Sequence, residues 1–218
     1  MQQSRGFLVA FEGIDGSGKS SLIQTVAQAL SQKYIPVVLT KEPGGSQLGK
    51  TLRALLQEQP VPIDHRAEFL LFAADRAQHM QEIIKPALAQ GKLVLSDRLA
   101  DSSIVYQGYG RGLDITMIKS VNAWALDGVA PDLTIYVYID GQTATERVIE
   151  RGKELTAFEK EAQDFFNKLI NGYTMLYKDR SDVLVIDGRQ PREVMAQQVY
   201  DALFTLYIAG SSTNDTYA

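Results

Sequence analysis

The stretch Gly13-Ile14-Asp15-Gly16-Ser17-Gly18-Lys19-Ser20 follows the pattern glycine, any four residues, glycine, lysine, serine, which marks a loop built to hold phosphate. Three glycines permit the sharp turns that aim backbone N–H groups at phosphate oxygens. The flanking sequence predicts the strand and helix such a loop needs. Phe7 to Phe11 is an unbroken apolar run, as in a strand buried on both faces. Leu22, Ile23, Val26, Ala27 and Leu30 recur at helical spacing, so the positive end of that helix adds to the pull on an anion. Lys19 is placed to reach the β- and γ-phosphates of a nucleoside triphosphate, and the Ser20 hydroxyl, with Ser21 beside it, to hold Mg²⁺ and the phosphate tail. An ordinary glycine-rich turn explains the glycines but leaves Lys19-Ser20 at that offset unexplained.

The chain has 218 residues, a formal net charge of −4 and no cysteine. That length suits one medium α/β domain. The charge argues against bulk nucleic-acid binding. Without cysteine there is no disulfide, thiolate metal site or cysteine nucleophile. No apolar run approaches membrane-spanning length, and the polar start Met1 to Arg5 does not resemble a signal peptide. A soluble, cytoplasmic protein is expected.

Strand-like runs Pro36 to Thr40, Leu93 to Ser96, Leu133 to Ile139 and Val183 to Ile186 alternate with helical patterns. The alternation predicts an α/β fold of three layers, a five-stranded, mainly parallel sheet flanked by helices. Asp64 is a cap for a helix fading near Pro86, and Gly108 to Gly112 reads as a flexible loop. Pro191 opens a closing helix, and the small polar stretch Ala209 to Ala218 reads as a frayed tail beyond a single domain of residues 1–208.

Ligands bind at the C-terminal edge of such sheets. Asp97 ends the run Leu93 to Ser96 there; it either holds Mg²⁺ or caps the next turn. Asp140 ends the next such run, and the Gly141 helix behind it favours the cap. Arg98, beside Asp97, can clamp a phosphate with two parallel hydrogen bonds. Arg53 and Arg76, taken alone, read as solvated helix arginines. Arg147 and Arg151 lie one helical turn apart and lead into Gly152-Lys153-Glu154; this segment is either a lid over the phosphates or an exposed charged loop. His65 and His79 lack metal-ligand spacing and read as structural or surface residues. Trp124 on an amphipathic helix reads as packing, in the core or at a subunit interface.

Phe11-Glu12-Gly13-Ile14-Asp15-Gly16-Ser17-Gly18-Lys19-Ser20, Lys41-Glu42-Pro43-Gly44-Gly45, Phe72-Ala73-Ala74-Asp75-Arg76, Asp97-Arg98 and Tyr106-Gln107-Gly108 occur in this order. Together they resemble thymidylate kinases of the bacterial type, a family of P-loop nucleoside monophosphate kinases, from Phe7 to about Leu206. The resemblance implies transfer of the ATP γ-phosphate to dTMP with Mg²⁺, and a homodimer whose interface lies near the helices of Phe72 and Trp124. It implies that Asp15 meets the sugar 3′-hydroxyl, Phe72 stacks on the thymine ring, and Arg76 binds the base edge or the phosphate side. It gives the acceptor phosphate to Arg53 and Arg98, a wall near the thymine methyl to Pro43 beside Glu42, and the base to Ser102, Ser103 and Gln107. Tyr106 would pack on the deoxyribose, Arg147 would lie near the adenine, and Arg151 would be the catalytic arginine of a lid at about 151–161.

Two positions depart from the family pattern. Lys41 stands where an arginine usually precedes Glu-Pro-Gly-Gly, which keeps charge but loses the planar fork, and Leu99 follows Asp97-Arg98 where an aromatic or histidine is common. Another small-molecule kinase, or a nucleotide-gated assembly ATPase, is the alternative reading of the same loop.

Overall fold

The computed structural model describes residues 5–58, 62–149 and 158–212. In chain order the elements are β1 (Phe7–Glu12), α1 (Lys19–Gln32), β2 (Val37–Lys41), α2 (Gln47–Glu58), α3 (His65–His79), a π-helical turn (Met80–Ile84), α4 (Lys85–Ala89), β3 (Leu93–Asp97) and α5 (Ala100–Ser103). A second π-helical segment (Ile104–Gly110), α6 (Ile115–Leu126), β4 (Leu133–Tyr138), α7 (Gly141–Ile149), α8 (Phe158–Tyr177), β5 (Val183–Asp187) and α9 (Arg192–Ser212) follow.

The strands form one parallel sheet of order β2-β3-β1-β4-β5. β1 lies at its centre and is apolar on both faces because both are covered. Val9 and Phe11 join Leu22, Val26 and Leu30 of α1 and Val199 and Leu203 of α9 on one side. Leu8 and Ala10 meet Met80, Ile84 and Leu88 on the other. The register sets Phe11 of β1 and Lys41 of β2 level with Asp97 of β3. The C-terminal ends of three neighbouring strands therefore open onto one edge, where the phosphate-binding loop begins.

Four expectations change. Pro86 does not end its helix: it sits in the first turn of α4, directly after a π-helical turn, where its missing N–H breaks no long α-helical ladder. Gly108 to Gly110 is helical and packed rather than a flexible loop. At Gly110 a Cβ would come within 2.8 Å of the Phe165 ring, so this glycine permits a close approach to α8. The closing helix runs to Ser212, into the stretch read as a tail. Trp124 is 83% exposed, which removes the core from its two expected places.

Candidate active site

The phosphate-binding loop leaves β1 through Gly13, whose φ is 143° and whose added Cβ would meet the Val137 carbonyl oxygen at 2.5 Å. Only glycine makes this turn against β4. Ile14 is buried with Val105 and Tyr136 and anchors the loop to the core. Lys19 folds back beneath it and donates to the Ile14 carbonyl at 3.2 Å. Burial, then Arg98 nearby, pulls the Lys19 ammonium down to about 8 against the pull of Asp97, Asp15 and Glu12; it stays charged at neutral pH. Ser20 donates to Asp97 at 2.6 Å. One hydroxyl and one carboxylate are the sparse hard-oxygen set that suits Mg²⁺ completed by phosphate and water. No cluster of three or more His, Asp or Glu among the described residues could hold a metal alone. Ser21 is exposed on α1, and Ser17 is buried in the loop.

Arg98 has φ 73°, a left-handed backbone that a side chain of this size adopts only when held. Its N–H donates to the Phe11 carbonyl. Its guanidinium donates to Gly13 O at 3.1 Å, Ser102 Oγ at 3.0 Å, Asp15 Oδ1 at 2.7 Å and the Tyr106 hydroxyl at 3.0 Å.

What holds this turn is Glu12, fully buried at the end of β1. Its carboxylate accepts from Leu99 N at 2.9 Å, Ser102 N at 3.3 Å, Ser102 Oγ at 2.5 Å and the Tyr173 hydroxyl at 3.0 Å. Glu12 belongs to the motif-bearing stretch, but no role attaches to it in the sequence; the one available signal is an acidic residue closing an apolar strand. Burial, then Asp101 nearby, pushes its carboxyl from 4.5 up to about 7, against the Ser102 and Leu99 hydrogen bonds and Arg98. Between these values the folded chain keeps a proton that the unfolded chain releases, so stability falls as pH rises through the window. Asp75, raised by burial and by Glu42 from 3.8 to about 6, adds the same sign lower down. Urea titrations at pH 4.5 and 7.5 should show wild type losing about 3 kcal/mol more than Glu12→Gln across that range. An equal loss in both proteins would remove Glu12 as the source.

Two cavities open at this edge. The larger, about 470 Å³, is lined by Asp15, Lys19, Ser20, Lys41, Arg53, Asp97 and Arg98 among others. The smaller, about 260 Å³, is lined by all the residues expected around an acceptor: Asp15, Glu42, Pro43, Arg53, Phe72, Arg76, Arg98, Ser102, Ser103, Tyr106 and Gln107. Asp15, Glu42, Arg53 and Arg98 are common walls. Leu56, Gln57 and Leu99, not anticipated from the sequence, complete the smaller one.

Arg76 is 1% exposed, which corrects its reading as a solvated helix arginine. It donates to Glu42 at 2.9 Å, Asn122 at 2.6 Å, the Leu99 carbonyl at 3.2 Å and Ser103 at 3.2 Å. Buried charge of this kind persists only when fully paired. Arg53 is half-buried and donates to the Pro43 carbonyl at 3.0 Å. His79 is structural: fully buried, it bridges Glu42 at 3.0 Å and Thr40 at 2.5 Å. Asp140 caps α7 through Thr143 N at 2.8 Å. Arg147 donates to Gly16 O at 3.3 Å and Gly188 O at 3.0 Å, against the outer side of the phosphate loop. Arg151 lies outside the described residues, as does most of the expected lid; its last residues, from Phe158, open α8.

A phosphate-binding loop at the C-terminal edge of a parallel sheet, opening through shared walls onto a second cavity lined by both apolar and charged side chains, defines a P-loop phosphotransferase. The Thymidylate kinase family profile matches residues 11–199. The chain is 44% identical over 200 residues to a thymidylate kinase of Halothermothrix orenii, covering 90% of this chain and 95% of that one. It is 44% identical over 191 residues to one of Carboxydothermus hydrogenoformans, covering 87% and 93%. The crystal structure of thymidylate kinase from Ehrlichia chaffeensis superposes with a TM-score of 0.74 at 32% identity, over 91% of this chain and 98% of that one. The chain belongs to the thymidylate kinase family.

Proposed function

We propose that the protein transfers the γ-phosphate of ATP to dTMP, forming dTDP. The observation that carries this reading is the pair of cavities sharing Asp15 and Arg98, with the phosphate loop on one side and Phe72, Tyr106 and Gln107 on the other. The named relatives support the same acceptor. Phosphoryl transfer of this class needs positioning and charge neutralisation, with no covalent intermediate.

In this reading the backbone amides of Gly13 to Ser20 hold the triphosphate and Lys19 neutralises it. Arg98 and Arg53 hold the acceptor phosphate in line. Asp15 takes the 3′-hydroxyl of the sugar, exchanging part of its contact with Arg98 for it. Phe72 stacks on the base, Arg76 meets its edge, Pro43 lies toward the methyl, and Ser102, Ser103 and Tyr106 close the pocket around the ring and deoxyribose. Arg147 borders the adenine side, and Arg151 supplies charge to the group in flight. Ser20 and Asp97 would hold Mg²⁺, which supplies neutralisation of phosphate charge when bound. We place the protein in the cytoplasm; among the described residues no helix is long and apolar enough to cross a membrane.

The homodimer is part of this proposal. Leu70 of α3 and Met117 and Trp124 of α6 are 56%, 61% and 83% exposed, and Met117 and Trp124 lie seven residues apart on one helix face. An apolar patch of this kind suits a copy of the same surface. This part fails if light scattering returns the mass of one chain.

The activity is tested by ADP release with Mg²⁺-ATP and dTMP, dUMP, dCMP, dGMP or thymidine side by side. dTMP should be the best acceptor. The thymine methyl alone separates it from dUMP by only about 1–3 kcal/mol, a factor of roughly 10–200. A phosphorylated product from another acceptor, with dTMP inert, would keep the loop and remove the activity.

A further inference from the structure

Gln107 is 4% exposed and lines the smaller cavity. An amide presents a donor at one end and an acceptor at the other, and which end faces a ligand is set by what the opposite end must satisfy. Here that partner is Glu68, in the first turn of α3. The Gln107 Nε2 atom lies 2.8 Å from Glu68 Oε1 in a buried contact. A carboxylate only accepts, so nitrogen must be the end turned toward Glu68. Arg111 stands 3.8 Å from the other Glu68 oxygen, which balances the charge without competing for the amide. The Gln107 backbone is fixed as well, since its carbonyl accepts from Leu113 N at 3.0 Å. The amide oxygen is thus the end directed away from Glu68.

We propose that Glu68 is a specificity-determining positioning residue. By holding the Gln107 nitrogen, it presents the Gln107 oxygen as a fixed acceptor to the pyrimidine edge. The ring nitrogen N3 of thymine carries a hydrogen and can donate to that oxygen. N3 of cytosine carries a lone pair, and oxygen against lone pair is repulsive. A rotated amide would accept cytosine, but rotation would set two acceptors against each other at Glu68, in a site where unpaired polar groups are costly. Discrimination is therefore built one residue behind the pocket wall, on a side chain outside the cavity lining.

This inference rests on the dTMP reading, and the experiment separates the two. Wild-type protein is first assayed for ADP release with dTMP; an inert dTMP removes the acceptor reading and this inference with it. The Kd values of dTMP and dCMP are then measured by calorimetry for wild type, Glu68→Gln, and the swap Glu68→Gln/Gln107→Glu. An amide at 68 can donate or accept, so Gln107 turns freely. The ratio of Kd(dCMP) to Kd(dTMP) should fall by about tenfold, the scale of one hydrogen bond lost and one regained, with the KM for ATP unchanged. The swap keeps one carboxylate and one amide and again turns an acceptor to the base, so it should restore the ratio. A ratio unchanged in Glu68→Gln while both nucleotides weaken together would make Glu68 merely structural and overturn the inference. If Glu68→Gln does not fold, the swap decides alone: a wild-type ratio supports the inference and a lowered one overturns it.

Discussion

Replacement of Lys19 by alanine should lower turnover by roughly 10²–10³, the scale seen when one preorganised donor is removed from a site of developing charge. The affinity for dTMP should stay near wild type. Lys19 is 5% exposed, its ammonium is tied to the Ile14 carbonyl, and burial has already lowered its proton affinity. A group kept charged at that cost has its reward when triphosphate arrives and replaces weak contacts with strong ones. Helix α1 should survive the change, since its buried stripe of Leu22, Ile23, Val26, Ala27 and Leu30 does not involve the ammonium. Steady-state ADP release, calorimetric titration with dTMP and far-ultraviolet circular dichroism together make the test. Turnover within tenfold of wild type would take Lys19 out of the chemistry.

Arg98→Ala should reduce kcat/KM for dTMP by roughly 10²–10⁴, because two charge-assisted hydrogen bonds at about 1.5–3 kcal/mol each disappear with the guanidinium. The KM for ATP should move far less. Arg98 lies on the common wall of both cavities and is already aimed by Gly13, Ser102, Asp15 and Tyr106, so gripping a phosphate requires it to exchange part of these contacts, that with Asp15 among them, from a position already set. Arg98→Lys separates charge from geometry. A lysine keeps the charge but cannot reach four partners from one planar fork, and it should recover little of the loss. A lysine variant within tenfold of wild type would mean that Arg98 acts only as a point charge, and the proposed bidentate clamp would be wrong.

Both predictions concern residues visible in the chain before any fold is known, and the reason is local. Lys19 and Ser20 are read from their offset to glycines in one turn, and Asp97-Arg98 from their place at the end of an apolar run. The sheet then brings the two stretches together because β1 and β3 are neighbours with Phe11 level with Asp97. Gly108 to Gly110 shows where local reading stops. Glycine permits either freedom or close approach, and only the Phe165 ring behind Gly110 says which one holds. Arg76 is the same lesson for charge: the helical pattern leaves it facing solvent, and its burial comes from Glu42, Asn122 and Ser103 closing around it.

Motif spacing and hydrophobic period were enough for the class of fold and the phosphate loop, since each is a property of a few consecutive positions, while most residues around the cavities were expected from the resemblance of the ordered motifs to thymidylate kinases. The supports of those residues were not. Glu12 reaches Tyr173 across 161 positions, and Glu68 meets Gln107 across 39. Whether a carboxylate keeps its proton, or which end of an amide faces a ligand, depends on desolvation and on partners that the chain supplies only after it has closed on itself.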